Sequence, residues 1–183
     1  IVMPGASCSF GSGAGKYLAL SGRISPEKGL DQAIAIAKRT GMPLKIAAKI
    51  DRVDVEYFAH VIKPLLDCPL IEFIGEIGYP EKNVFLGNAA ALVFPITWRE
   101  PFGLVMIEAM ACGTPVIAYP LGSVPEVIQE GVTGFIVPNL ESAVRAVKRI
   151  GGIDGRKCRW TFEQHFAAKR KGQDHLQLYP GWI

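Results

Sequence analysis

Six short apolar runs recur along the chain: Tyr17 to Ser21, Leu44 to Ala48, Leu70 to Ile74, Ala91 to Ile96, Pro115 to Tyr119 and Thr133 to Val137. Short continuous apolar runs bounded by turn residues predict strands covered on both faces. The segments between them have a different period. Leu30, Ile34 and Ala37 mark one face of a helix that follows Ser25 as N-cap and Pro26 at the first helical position. Tyr57, Phe58, Val61 and Leu65 form the apolar stripe of a helix over Asp54 to Leu66. Further helices are predicted over Pro80 to Asn88, over Phe102 to Cys112 with Gly113 as its stop, near Pro125, over Leu140 to Ile150 and over residues 156–179. In the last, Trp160, Phe162 and Phe166 supply apolar contacts. Strand and helix alternate throughout. That order predicts the α/β class, a Rossmann-like doubly wound parallel sheet of about six strands.

Composition narrows this picture. A chain of 183 residues fits one domain with a sizeable core. Residues 1–16, rich in Gly and Ser and without periodicity, read as a flexible linker or tail, and residues 17–183 as the domain. The net charge of +3 is mild. It allows attraction to phosphate-bearing ligands and leaves peripheral membrane contact open, without requiring either. No Lys/Arg block suggests a nucleic-acid partner, and no apolar run reaches the roughly 18 residues of a spanning helix. Cys8, Cys68, Cys112 and Cys158 show no Cys-x-x-Cys pair, so free thiols in a reducing cytoplasm are expected. His60, His165 and His175 form no ligand cluster, and no metal site is expected. Gly11 to Lys16 invites a phosphate-loop reading but fails it. Phe10 stands where the first Gly belongs, Tyr17 where Ser or Thr belongs, and the segment precedes the first strand.

The chemistry concentrates between Arg99 and Pro120. Glu100 sits just before a predicted helix and Glu108 eight residues on. At about 100° per residue the two lie about 80° apart around the axis. Between them the amides of Phe102, Gly103 and Leu104 fall in the predicted first turn, where N–H groups lack intrahelical partners and favour a phosphate. Gly103 lets a ligand approach the backbone. Carboxylates beside such amides suit sugar hydroxyls; the bland alternative is that both are ordinary dipole partners. Arg23 ends the first strand and Lys28 lies in the next helix's first turn, both at the carboxyl edge of the sheet. Two cations there neutralise a diphosphate, or are simply solvated. Lys82, on the short helix, reads as solvated rather than as a nucleotide contact, and Glu126 as structural.

Glu100-Pro-Phe-Gly-Leu-Val-Met-Ile-Glu108 followed by Ala-Met-Ala-Cys-Gly-Thr-Pro-Val resembles the signature of retaining glycosyltransferases of family 4, and Gly22-Arg23 with Lys28-Gly29 resembles that family's first donor motif. The likeness runs from about Tyr17 to Val137. It implies one half of a GT-B fold, the half that binds the nucleotide-sugar donor. Carried over by motif, Arg23 and Lys28 bind the pyrophosphate and stabilise the departing nucleotide. Glu100 meets the donor sugar's hydroxyls, and Glu108 meets the ribose. Gly22 and the backbone of Phe102, Gly103, Leu104 and Val105 complete the donor contacts, and Arg23, Lys28 and Glu100 are the catalytic set. The loop after the third strand reads the base in similar enzymes. Ile77 is the candidate there, with ordinary loop burial an equal alternative. No metal or other cofactor is implied. The donor is a UDP-sugar by preference and a GDP-sugar second; the acceptor is open.

The resemblance also implies an N-terminal, acceptor-binding domain, and none precedes Tyr17. The chain is therefore expected to bind donor and to transfer little alone. In relatives the last helix crosses to that domain, so apolar surface around Trp160, Leu176, Leu178 and Tyr179 is expected to pack locally or to form a homodimer. Two other readings stay open: a non-catalytic nucleotide-sugar binding module, and a GT-B sugar-nucleotide epimerase. A dinucleotide oxidoreductase is remote, since no Gly-x-Gly-x-x-Gly follows the first strand.

Overall fold

The structure, a computed structural model, describes residues 15–167. Six strands form one sheet: β1 (Leu18–Arg23), β2 (Leu44–Lys49), β3 (Ile71–Phe73), β4 (Ala91–Phe94), β5 (Val116–Ala118) and β6 (Gly134–Ile136). Their order is β3-β2-β1-β4-β5-β6, and every pairing is parallel. The expected Rossmann-like doubly wound sheet is present. The winding reverses between β1 and β4, so the crossovers diverge there and leave a crevice beyond the strand ends.

The apolar runs work on two faces because side chains alternate along a strand. Leu18, Leu20, Leu44, Ile46, Val93, Ile117 and Phe135 enter one core with α1 (Leu30–Thr40) and α6 (Leu140–Arg149). Ala19, Ala47, Leu92, Phe94, Val116 and Ala118 enter the other, with α3 (Tyr79–Gly87), α4 (Leu104–Ala111) and α5 (Val124–Val127). Phe162 of α7 (Gly155–His165) joins the second core.

Four expectations are corrected. The helix over Asp54 to Leu66 is broken into α2 (Val55–Tyr57), a π turn over Phe58–Ile62 and a 3-10 turn over Lys63–Leu66. Pro64 has no N–H to give to the carbonyl of residue 60, so an unbroken α-helix cannot run through it. The wider π turn slips the inward position by one residue. Ile62 is fully buried, whereas Val61 of the expected stripe is 43% exposed. Ser25 starts a 3-10 turn, Pro26–Lys28, with no side-chain cap, and α1 begins only after Gly29. Lys28 thus lies just ahead of α1 rather than within it. Helix α4 starts at Leu104, not Phe102, because Gly103 at φ 66° and ψ 56° breaks the helical path. Strand β4 ends at Phe94, before Pro95.

Helix α7 ends at His165, and residues 168–179 of the predicted last helix lie outside the described residues, as do Leu176, Leu178, Tyr179 and His175. Phe162 is buried as expected, but Trp160 is turned outward. No helix among the described residues is long and apolar enough to cross a membrane.

Candidate functional site

Three loops meet at the crevice between β1 and β4. The backbone N–H of Thr97, after β4, donates to the carbonyl of Glu27, after β1, at 2.9 Å. Gly29 makes this docking possible. Its φ is 66°, and a Cβ there would stand 2.0 Å from the Pro95 carbonyl oxygen. The loop after β5 closes on the same unit, with Ser123 N–H donating to the Glu100 carbonyl at 2.9 Å. Together they enclose a cavity of about 560 Å³ lined by Gly22, Arg23, Glu27, Lys28, Lys82, Trp98, Glu100, Phe102, Gly103, Leu104, Val105 and Glu108. That volume is in the usual range for small-molecule sites.

Helix α4 forms one wall. Its sequence, Leu-Val-Met-Ile-Glu-Ala-Met-Ala, is apolar except for Glu108, as befits a helix buried nearly all round. A carboxylate in that setting needs a partner. Lys82 of α3 supplies it in an ion pair whose side chains are 25% and 15% exposed. The first hydrogen bond of α4 is from Met106 N–H to Gly103 O at 2.9 Å. The N–H groups of Leu104 and Val105 come before it, at the positive end of the helix dipole.

The other charges are paired too. Lys28 Nζ is 2.5 Å from Glu100 Oε2, and the same oxygen accepts from Trp98 Nε1 at 3.1 Å. Arg23 Nη2 donates to Glu27 Oε1 at 2.9 Å and stands 3.8 Å from Asp51 and from Asp54. The Glu27 carboxyl lies below its ordinary value, first through a hydrogen bond from its own backbone N–H, with Arg23 adding to the effect. Arg23 is nearly half exposed, and exposed pairs of this kind are weak enough to be exchanged for a ligand. The arrangement sets cations and helix-terminal amides beside carboxylates around one hollow. Chemically it fits a ligand carrying both an anionic group and hydroxyls.

The structure brings together Gly22, Arg23, Lys28, Glu100, Phe102, Gly103, Leu104, Val105 and Glu108 on this one cavity. Ile77 is not among them. It lines a neighbouring hollow of about 650 Å³ with Tyr17, Lys45, Ile74 and Glu81. Glu100 lies in the loop ahead of α4, as expected, and reaches the same cavity as Glu108. Lys82 is not a solvated lysine, since α3 turns it to Glu108. Trp98 is a site residue that the sequence pattern does not reveal, because its approach to Lys28 is made only in the folded chain. Glu126 is exposed and away from the cavity. Cys68, Cys112 and Cys158 are free thiols, and burial pushes Cys158 up to about 12.

A family profile described as glycosyl transferases group 1 matches residues 11–151. The phosphatidyl-myo-inositol mannosyltransferase of Propionibacterium freudenreichii subsp. shermanii is 42% identical over 83 residues, covering 43% of this chain and 22% of that protein. The D-inositol 3-phosphate glycosyltransferase of Mycobacterium leprae is 33% identical over 136 residues, 67% of this chain and 29% of that protein. Among solved structures, Anabaena Alr3699/HepE in complex with UDP superposes with a TM-score of 0.77 at 20% identity, over 92% of this chain and 50% of that one. The chain thus spans less than a third of these two relatives and half of that solved protein. The chain belongs to the group 1 glycosyl transferases, and its sheet is one Rossmann-like half of a GT-B fold.

Proposed function

We propose that this chain is the donor-binding half of a retaining, family 4 glycosyltransferase that moves a sugar from a nucleotide sugar to an acceptor. The observation that carries the reading is the set of three cation–carboxylate pairs around one cavity, Arg23–Glu27, Lys28–Glu100 and Lys82–Glu108. A nucleotide sugar offers Arg23, Lys28, Glu100 and Glu108 new partners. The diphosphate takes Arg23 and Lys28, with the amides of Leu104 and Val105 adding to the anion site. The sugar hydroxyls then take Glu100 in place of Lys28, and the ribose hydroxyls join Lys82 on Glu108. As the glycosidic bond breaks, charge grows on the leaving diphosphate, where Arg23, Lys28 and the helix-terminal amides stabilise it. The reading calls for no metal or other cofactor. Ile77 beside the loop after β3 is the apolar contact proposed for the base.

A UDP-sugar is the favoured donor and a GDP-sugar the second. UDP is bound by the Anabaena neighbour, which supports that order. The acceptor site belongs to a second domain, so the chain alone binds donor and transfers little. The test is calorimetric titration of the chain with UDP, GDP and ADP, repeated on Glu108→Ala and Arg23→Ala. One nucleotide is expected to bind, with each substitution weakening it by about 1.5–3 kcal/mol, the scale of a hydrogen bond to a charged group. A folded chain that binds no nucleotide sinks the reading.

A further inference from the structure

Trp98 has no part in the motifs or in the reading above, yet it touches both principal side chains of the cavity. It lines the cavity and is 45% exposed. Its Nε1–H donates to Glu100 Oε2 at 3.1 Å, and Lys28 Nζ stands 5.8 Å from its ring centroid. Lys28 closes the triangle by meeting the same Oε2 at 2.5 Å. Both contacts fall on one oxygen, and no hydrogen bond among the described residues uses Oε1. The backbone around the indole is fixed as well. Glu100 N–H donates to the Trp98 carbonyl at 3.1 Å, and Thr97 is tied to Glu27.

The two donors on Oε2 differ in one respect. Lys28 is a cation, and an incoming diphosphate draws it away. The indole N–H is an uncharged donor that does not follow the phosphate. Once Lys28 has moved, Trp98 is what still fixes the Glu100 carboxylate. We infer that Trp98 is a positioning residue: its N–H holds Glu100 through donor binding so that Oε1 faces the hydroxyls of the donor sugar. The inference rests on the donor-binding reading and adds a residue to it.

Calorimetry on the full chain with UDP, UDP-glucose, GDP and GDP-mannose tests it. The readout is the ratio of affinities for a sugar nucleotide and its bare nucleoside diphosphate, because general damage to the fold lowers both together. Trp98→Phe keeps the aromatic face and removes the N–H. The ratio is expected to fall about 5-fold, the scale of one hydrogen bond, with the bare nucleotide's affinity unchanged. Glu100→Ala lowers the ratio too, and the double variant falls no further, as expected for two residues acting as one unit. If Glu100→Ala lowers the ratio while Trp98→Phe does not, or if the two losses add, the positioning role is overturned and the donor reading stands. If the ratio ignores Glu100→Ala, or none of the four probes binds to folded chain, the donor reading fails and the inference with it.

Discussion

Glu108 shows how one residue can couple stability to binding. It is the single charge in an apolar helix, and Lys82 is its counter-ion. Lys82→Met leaves that carboxylate mostly buried without a partner and is expected to destabilise the chain by about 1–3 kcal/mol, measured by urea unfolding. Adding Glu108→Gln should recover most of the loss, since the stranded charge is then gone. No recovery would show that Lys82 acts through its packing instead. Cys158 illustrates burial without chemistry. Desolvation holds the thiol protonated up to about 12 against an ordinary 9.0. A raised pKa means that the folded state keeps a proton the unfolded state loses. The stabilisation is complete below pH 9 and is lost as pH rises through the folded value. At pH 8 the native chain should be alkylated at the partly exposed Cys68 long before Cys158. Equal labelling of the two in native protein would contradict the packing around α7.

Among the elements, two contrasting substitutions separate what holds the fold from what shapes the site. Gly29 sits where the loop after β1 touches the loop after β4. Gly29→Ala forces a Cβ into the Pro95 carbonyl at a left-handed backbone position, a loss of about 2 kcal/mol or more. Because that contact joins Glu27 and Thr97, nucleotide affinity should fall along with the thermal midpoint. Asn139 caps α6 by accepting from Ser142 N–H at 3.0 Å. Asn139→Ala should cost about 1 kcal/mol and leave nucleotide affinity unchanged, since α6 contributes nothing to the cavity. A shared effect on binding from both would mean that the site depends on overall stability rather than on the joined loops.

For the whole molecule, the proposed function turns on a second domain. The cavity opens at the carboxyl edge of the sheet, and an open cleft commonly excludes water only when a loop or domain closes over it. The chain mixed with UDP-glucose and an acceptor should therefore show transfer far below that of a complete enzyme, assayed by release of UDP. Supplying an N-terminal half should raise it. Transfer by the chain alone at the rate of a complete enzyme would show that these residues carry an acceptor site of their own.

Local order in the chain was enough to reveal much of this. Each apolar run became a strand because both faces of a parallel sheet must be covered, and Leu18, Ala19 and Leu20 can serve opposite cores in turn. Arg23, Lys28, Glu100 and Glu108 were legible because the motif spacing and the strand–helix order together put them at one edge. What the sequence missed depends on three-dimensional neighbours. The π turn that buries Ile62 in place of Val61 reflects Pro64 and the packing of that segment on α1. Gly103 moved the start of α4 because a left-handed residue is invisible in a composition that also suits a helix. Lys82 read as solvated because its partner lies on another helix, 26 positions away. Trp98 carried no signal because hydrogen bonding to Glu100 and proximity to Lys28 arise only when the loops after β1 and β4 dock. Sequence alone determined the strand–helix alternation and that Arg23, Lys28, Glu100 and Glu108 gather at one edge of the sheet. Tertiary structure decided which cation faces which carboxylate, because an ion pair is set by distance in space and not along the chain.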